Sequence, residues 1–268
     1  MSSATITTSA RLINSTPQTE EQAMVRKVAV SSFLGNFIEW FDYASYSYFA
    51  TTIALVFFPT DNHTVAMLQT FGVFALSFIL RPIGALFWGS YGDKKGRKAA
   101  LAHSIMFMSG ASFLIGCLPS YSVIGVGAPI LLLLLRMVQG FSASGEYAGA
   151  ATFLGEYAPT SKRGIYCSLI PASTAIGLLA GSTLATLMTA NMNSSAMVGW
   201  GWRVPFLLAG PLGLIVLYIR AKLADSPVYQ SMNDALESKG AASADGQSLP
   251  RAACSPRSPS CSTTISRL

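Results

Sequence analysis

Residues able to do acid–base chemistry recur along one stretch that is otherwise apolar. Asn36, Glu39, Tyr43 and Tyr46 follow one another at three- and four-residue spacing, with Asp42 beside them. On a helix this spacing gathers an amide, a carboxylate and two phenols on one stripe. Phe33, Phe37, Trp40 and Phe41 supply apolar bulk around it. A second polar set interrupts a later apolar run: Arg136, Gln139 and Glu146. Charges inside an apolar helix are costly and ask for a reason. Glu39 lies roughly 16 Å from one end of its helix and Arg136 roughly 18 Å from the corresponding end of its own, so the two are expected to meet near mid-depth. A carboxylate whose charge depends on an arginine partner and on access to water is what proton-coupled movement of a solute requires. A static pair that only fixes packing is the plainer alternative. Asp42, Glu146 and Arg81 are open to that plainer reading most of all.

The elements that must position these residues are membrane helices. Charged residues are 11% of the 268, against roughly 25% in soluble domains. The apolar fraction is 51% and the mean hydropathy +0.45. Such a chain needs lipid as its solvent over most of its length. The net charge of +6 does not indicate nucleic acid, because the bases gather at the edges of apolar runs and not along one face. Six segments approach the ~20 residues a bilayer core requires: 28–58, 66–90, 99–118, 123–148, 164–190 and 204–222. Backbone in lipid must satisfy its own hydrogen bonds, so these are helices. The loops 59–65 and 119–127 carry no Lys or Arg, and 191–203 carries only Arg203 at its end. The alternate loops carry Lys94, Lys95, Arg97, Lys98, Lys162 and Arg163, with Arg26 and Lys27 before the first helix and Arg220 and Lys222 closing the last. Both termini are therefore expected on the cytoplasmic side.

The boundaries read as a polar, disordered tail over 1–25, a transmembrane domain over 26–224, and a linker with a disordered tail over 225–268. From Gly240 the composition turns to Ala, Ser, Pro and scattered Arg, resembling a GC-rich frame read out of register. Residues 1–25 lack the apolar core of a cleavable signal. Gly145 and Gly149, and Gly177 and Gly181, are spaced four apart, which predicts close helix contacts. Trp200, Trp202, Tyr91 and Tyr121 are expected at membrane interfaces, and Cys117 and Cys167 as small packing residues. No Cys/His cluster or phosphate-binding glycine loop is present, so no metal and no cofactor are expected. Gly140–Ala143 could suggest a membrane serine protease. No His follows Ser142, and His63 and His103 are not at its depth, so no enzyme is expected.

The ten residues Gly89–Lys98 join the second and third segments. Gly89, Asp93, Gly96 and Arg97 stand there in the pattern G-x-x-x-D-[RK]-x-G-R-[RK]. This resembles the signature between helices two and three of the major facilitator superfamily. GNFIEWFDYASY, RPIG at Arg81–Gly84, RMVQGFSASGEYAGA at Arg136–Ala150, EYAPTSKRG at Glu156–Gly164, GWRVPF at Gly201–Phe206 and DSPVY at Asp225–Tyr229 narrow the resemblance. They look like its metabolite:proton symporter branch, and within it bacterial proline/glycine betaine osmoprotectant transporters. Dicarboxylate, citrate and shikimate carriers share most of these motifs. The resemblance covers about residues 24–237 and corresponds to the amino-terminal half of such a carrier.

That resemblance implies an all-α membrane protein of six transmembrane helices, built as a 3+3 inverted repeat. It implies symport of a small polar solute with protons, proline or glycine betaine first and carboxylates such as citrate or 2-oxoglutarate second, in the bacterial inner membrane. Helices one and four would line the path, which places Asn36, Glu39, Asp42, Tyr43, Arg136, Gln139 and Glu146 along it. Gly89, Asp93, Gly96 and Arg97 would form a cytoplasmic gate, with the Asp facing helix eleven of the other half. No such helix follows here. A carboxyl-terminal half or a second copy is then the expected partner, together with the bilayer. A transport-inactive half-carrier is the alternative.

Overall fold

The computed structural model describes residues 15–223, with side chains from Gln22 onward. Among them every regular element is helical. The first span is a long helix, α1 (Ser15–Tyr48), continued after Phe49 by α2 (Ala50–Phe57). The second is α3 (His63–Ile79) followed by α4 (Arg81–Lys95). Pro82 in the first turn of α4 has no N–H to give, so the helix restarts at this point without an orphaned donor. The third span is α5 (Arg97–Cys117). A short α6 (Tyr121–Ile124) leads to the fourth, α7 (Gly127–Ala143) and α8 (Glu146–Tyr157). The fifth is α9 (Arg163–Cys167) with α10 (Leu169–Asn191), and after α11 (Ser194–Gly199) the sixth is α12 (Val204–Ala221).

Five of these, from the second span to the sixth, are long and apolar enough to cross a membrane. The first has the length but is less apolar, because it carries the polar stripe from Asn36 to Tyr46. The helix at the start is longer than the sequence suggested. The polar stretch expected as tail up to residue 25 is helical from Ser15 onward, since Glu20–Met24 are good helix formers and Val25 and Val28 are buried. The DSPVY motif and the Ser/Pro-rich tail lie outside the described residues.

α1 is the central element. It packs along α10 and α12, while α5 packs along α12 and α7, and α3 along α7. The predicted glycine contacts explain the tightest pair. A side chain at Gly177 would stand 2.8 Å from the Phe37 carbonyl oxygen, and one at Gly181 2.6 Å from Ala44 Cβ. α10 can therefore lie directly against the α1 backbone.

Apolar side chains form three buried clusters along the bundle. One contains Val28, Leu101, Phe153 and Ile170. A second contains Ile38, Ile105, Met108 and Val216. The third contains Phe57, Leu132, Trp202 and Phe206. Trp202 is thus fully buried and not an interfacial ring. It packs edge-on against Phe57, 5.3 Å between centroids. Cys117 is exposed and so does not pack between helices. The exterior carries Leu68, Ile83, Leu86, Leu179 and Leu214, a surface suited to lipid.

Candidate functional site

Among the described residues, three acid–arginine pairs link the helices. The expected meeting of Glu39 with Arg136 does not occur. Glu39 instead binds Arg81, whose Nη2 lies 2.6 Å from Oε1. Arg136 binds Asp42, with Nη1 2.8 Å from Oδ2. The reason is angular. Positions three apart on a helix differ by about 60° in direction, so Glu39 faces α4 while Asp42 faces α7. One stripe serves several neighbours. Asn36 serves a further one, donating from Nδ2 to the Ile170 carbonyl (3.0 Å), Ser173 Oγ (2.8 Å) and Thr174 Oγ1 (2.9 Å).

The Glu39–Arg81 pair is the open one. Glu39 is 2% exposed and Arg81 27%. Arg81 also donates to the Tyr43 hydroxyl. Its guanidinium carbon stands 4.6 Å from the Phe78 ring centre and 5.1 Å from that of Tyr43, close enough for cation–π attraction. Glu39 Oε2, Arg81 Nε and Trp40 Nε1 are buried and have no hydrogen-bond partner among the described residues. Arg81 is brought here by the restart of the helix at Pro82.

The Asp42–Arg136 pair is closed, with both side chains buried. Gln139 Nε2 donates to Asp42 Oδ1 at 3.2 Å and also to Ser112 Oγ. The Arg136 guanidinium lies 3.8 Å over the Tyr46 ring, whose hydroxyl donates to the Thr70 carbonyl at 2.9 Å. Arg136 Nε and Nη2 and Gln139 Oε1 have no partner among the described residues.

Glu146 belongs to a separate, sealed pair. It binds Arg220 through both carboxylate oxygens, the Nη1–Oε2 contact being 3.0 Å. Ser104 Oγ donates to Oε2 at 3.2 Å. Arg220 also donates to the Leu101 and Ser31 carbonyls. By sequence alone Arg220 is one of the basic residues that close the last helix. It is 2% exposed and is an internal partner. Gly35 makes this possible, because a Cβ there would collide with Glu146 Oε1 and Arg220 Nη2. Sequence reasoning thus missed Arg220, Ser104 and Ser112, and gave Arg81 too small a part. The signal for Arg220 was Gly35, a glycine inside a helical pattern that marks a close approach.

In the loop, Asp93 and Arg97 pair at 3.1 Å. Gly96 has φ 96°, a conformation that favours glycine, and it forms the break between α4 and α5. Gly89 faces open space, with nothing near its missing Cβ. Ser142 is buried without a hydrogen-bond partner among the described residues, and the His103 ring contacts the Ala99 carbonyl.

Residues 27–254 match the family described as sugar (and other) transporters. The chain belongs to that family. It is 42% identical over 217 residues to the proline/betaine transporter of Salmonella typhimurium (strain LT2), covering 81% of this chain and 43% of that one. It is equally similar, over the same shares, to the glycine betaine/proline/ectoine/pipecolic acid transporter OusA of Dickeya dadantii. The chain therefore spans about half the length of these relatives. Among solved structures, the D-xylose–proton symporter superposes with a TM-score of 0.68 at 17% identity, over 81% of this chain and 53% of that one. The major facilitator superfamily proton:xylose symporter XylE, bound to 6-bromo-6-deoxy-D-glucose, gives 0.70 over 82% and 48%. The chain thus has the all-α membrane fold of these symporters, and it is a multi-pass membrane protein.

Proposed function

We propose that this chain forms one six-helix wall of a proton-coupled symporter for a small zwitterion of the proline or glycine betaine type, with small carboxylates as the next substrate class. The observation that carries this reading is the Glu39–Arg81 pair. It joins two spans, one partner is part-exposed, and one carboxylate oxygen has no partner among the described residues. A proton arriving on Glu39 neutralises it and weakens its hold on Arg81. Loss of that proton restores the ion pair. Because Arg81 heads α4, making or breaking the pair pulls on the second span and changes how it sits against α1. The kinship with proline and betaine transporters supports the substrate class. A zwitterion offers a carboxylate to a guanidinium and a cation to a carboxylate or an aromatic face, and Arg81, Glu39, Tyr43 and Phe78 supply these partners.

A second six-helix unit, either the remainder of a longer protein or a second copy, closes the path opposite this wall. The Asp93–Arg97 loop acts as the gate on the cytoplasmic face, where both termini lie, and the membrane is the bacterial inner membrane. The orientation rests on Lys94, Lys95, Arg97, Lys98, Lys162 and Arg163. The domain limits follow as 26–224 for the membrane body, with polar segments on either side.

The test is uptake of radiolabelled proline and glycine betaine in a transporter-deficient strain at acid and neutral external pH. The chain is expressed alone and together with the complementary half of the Salmonella relative. Uptake that rises at acid pH, collapses with a protonophore and is lost in Glu39→Gln supports the reading. Uptake insensitive to the protonophore, or no uptake in either format with insertion confirmed, overturns it.

A further inference from the structure

The connections between the first and second, third and fourth, and fifth and sixth spans gather at the end of the bundle opposite the Gly89–Lys98 loop, where α6 and α11 both pack on α2. Between them lies a cleft of about 370 Å³, with Pro59, Ser120, Tyr121, Ser122, Gly199 and Arg203 in its walls. No member of the three buried acid–arginine pairs lines it. Arg203 is the one Lys or Arg in these connections, 59–65, 119–127 and 191–203.

The surroundings hold this arginine in place without neutralising it. Nη1 donates to the Gly199 carbonyl at 2.6 Å and Nη2 to the Leu118 carbonyl at 2.9 Å. The guanidinium carbon stands 4.8 Å from the Trp202 ring centre. These contacts fix the direction of the side chain, and none of them brings a carboxylate. Two of the five guanidinium N–H groups are used, so three are left. Among the described residues no acid pairs with Arg203. Asp61 and His63 line a neighbouring cleft that shares Leu55 and Pro59 with this one, and Asp61 forms no ion pair with Arg203. Ser120 precedes α6, but its hydroxyl caps no backbone N–H. It meets the Ser122 hydroxyl instead, at 2.7 Å.

We infer that this cleft binds a small zwitterion by its carboxylate, which sits on Arg203 and accepts from the Ser120–Ser122 hydroxyl pair, while the cation lies against the Tyr121 ring. A guanidinium presents a planar fork that matches one carboxylate. One positive charge suits one negative group, and these connections offer no second Lys or Arg for a doubly charged phosphate. An aromatic face attracts a cation. The ligand is drawn from the substrate class proposed above, while the cleft rests on Arg203 and its surroundings, so the test reads binding and not transport.

The experiment measures how fast phenylglyoxal modifies each arginine of the full chain in detergent, by mass spectrometry of its peptides at fixed pH and ionic strength. Glycine betaine, choline and sodium chloride are the added solutes. Glycine betaine, titrated upward, is expected to slow modification of Arg203 by about tenfold or more, with a saturating dependence. Choline has the same cation and no carboxylate, and is expected to leave the rate as it is in sodium chloride. Ser120→Ala with Ser122→Ala is expected to raise the half-protecting concentration about threefold or more, as loss of a hydrogen bond would, at an unchanged melting temperature. Equal protection by choline overturns the proposal. So does an Arg203 that phenylglyoxal does not reach without ligand, a rate that glycine betaine does not change, or protection that the double serine variant keeps in full. Protection of Arg81 with none at Arg203 overturns this site and leaves the proposed substrate class standing. Protection of Arg203 with none at Arg81 supports this site and counts against Arg81 as the solute's partner.

Discussion

Two acid–arginine pairs in this bundle share their chemistry and differ in their surroundings. Glu146 and Arg220 are both at most 2% exposed. Both carboxylate oxygens are engaged, and the arginine reaches two backbone carbonyls besides. Among the described residues Glu39 and Arg81 leave an oxygen and an Nε without partners, and Arg81 reaches the surface. A pair with both carboxylate oxygens and both terminal guanidinium nitrogens engaged holds four helices in register and has little reason to change state. A pair with unmatched atoms and an exposed member can exchange a proton or a partner without dismantling the fold. On the proposed reading, the same two side-chain types serve as a fastener in one place and a moving part in another. Asp42–Arg136 stands between them: buried like the first, incompletely matched like the second.

The sharpest way to break this contrast is to remove one member of the sealed pair. Arg220→Leu leaves Glu146 buried and unpaired, an effect of about 3–5 kcal/mol. We expect poor membrane yield and a melting temperature lowered by several degrees, read by thermal unfolding in detergent. Gly35→Val is expected to behave the same way, because its side chain enters the space of both partners. Next in size is Asp42→Asn, which leaves the Arg136 charge with only Gln139 beside its former partner and the Tyr46 ring beneath it. A loss of about 2–3 kcal/mol is expected, visible as a lower midpoint in the same assay. Gly96→Ala follows, at about 1–3 kcal/mol, because φ 96° strains any residue with a Cβ. Smallest is Asp93→Asn. That pair is exposed, with Asp93 at 66%, so its loss changes stability by less than about 1 kcal/mol. If Asp93→Asn nonetheless changes uptake, the loop's importance is in gating and not in folding.

How much of this could be read from residues alone follows from the same contrast. The helices were legible because apolar runs of membrane length have one solution in lipid. The Gly96 turn was legible because glycine and charge were spaced in a known pattern. Gly177 and Gly181 announced a close helix contact, though not that its partner would be α1. The stripe from Asn36 to Tyr46 was also legible, as a face. What the stripe touches was not. A period of 3.6 fixes directions around one helix, while the partner depends on how neighbouring helices are rotated and tilted. Glu39 was therefore assigned to Arg136, when a 60° difference gave Arg136 to Asp42 and Glu39 to Arg81. Arg220 was hidden by its place at a helix end beside Lys222, where a basic residue ordinarily reports topology. Only the space left by Gly35 turns it inward.

The most direct test compares Glu39→Gln with Glu146→Gln in the same membranes, measuring thermal stability and acid-stimulated uptake of labelled glycine betaine, with the complementary half supplied to both. Glu39→Gln is expected to melt within a few degrees of the unaltered chain and to lose the acid stimulation. Glu146→Gln is expected to melt much lower. Equal melting losses, or acid-stimulated uptake that survives in Glu39→Gln, would contradict the division of these pairs into a fastener and a moving part.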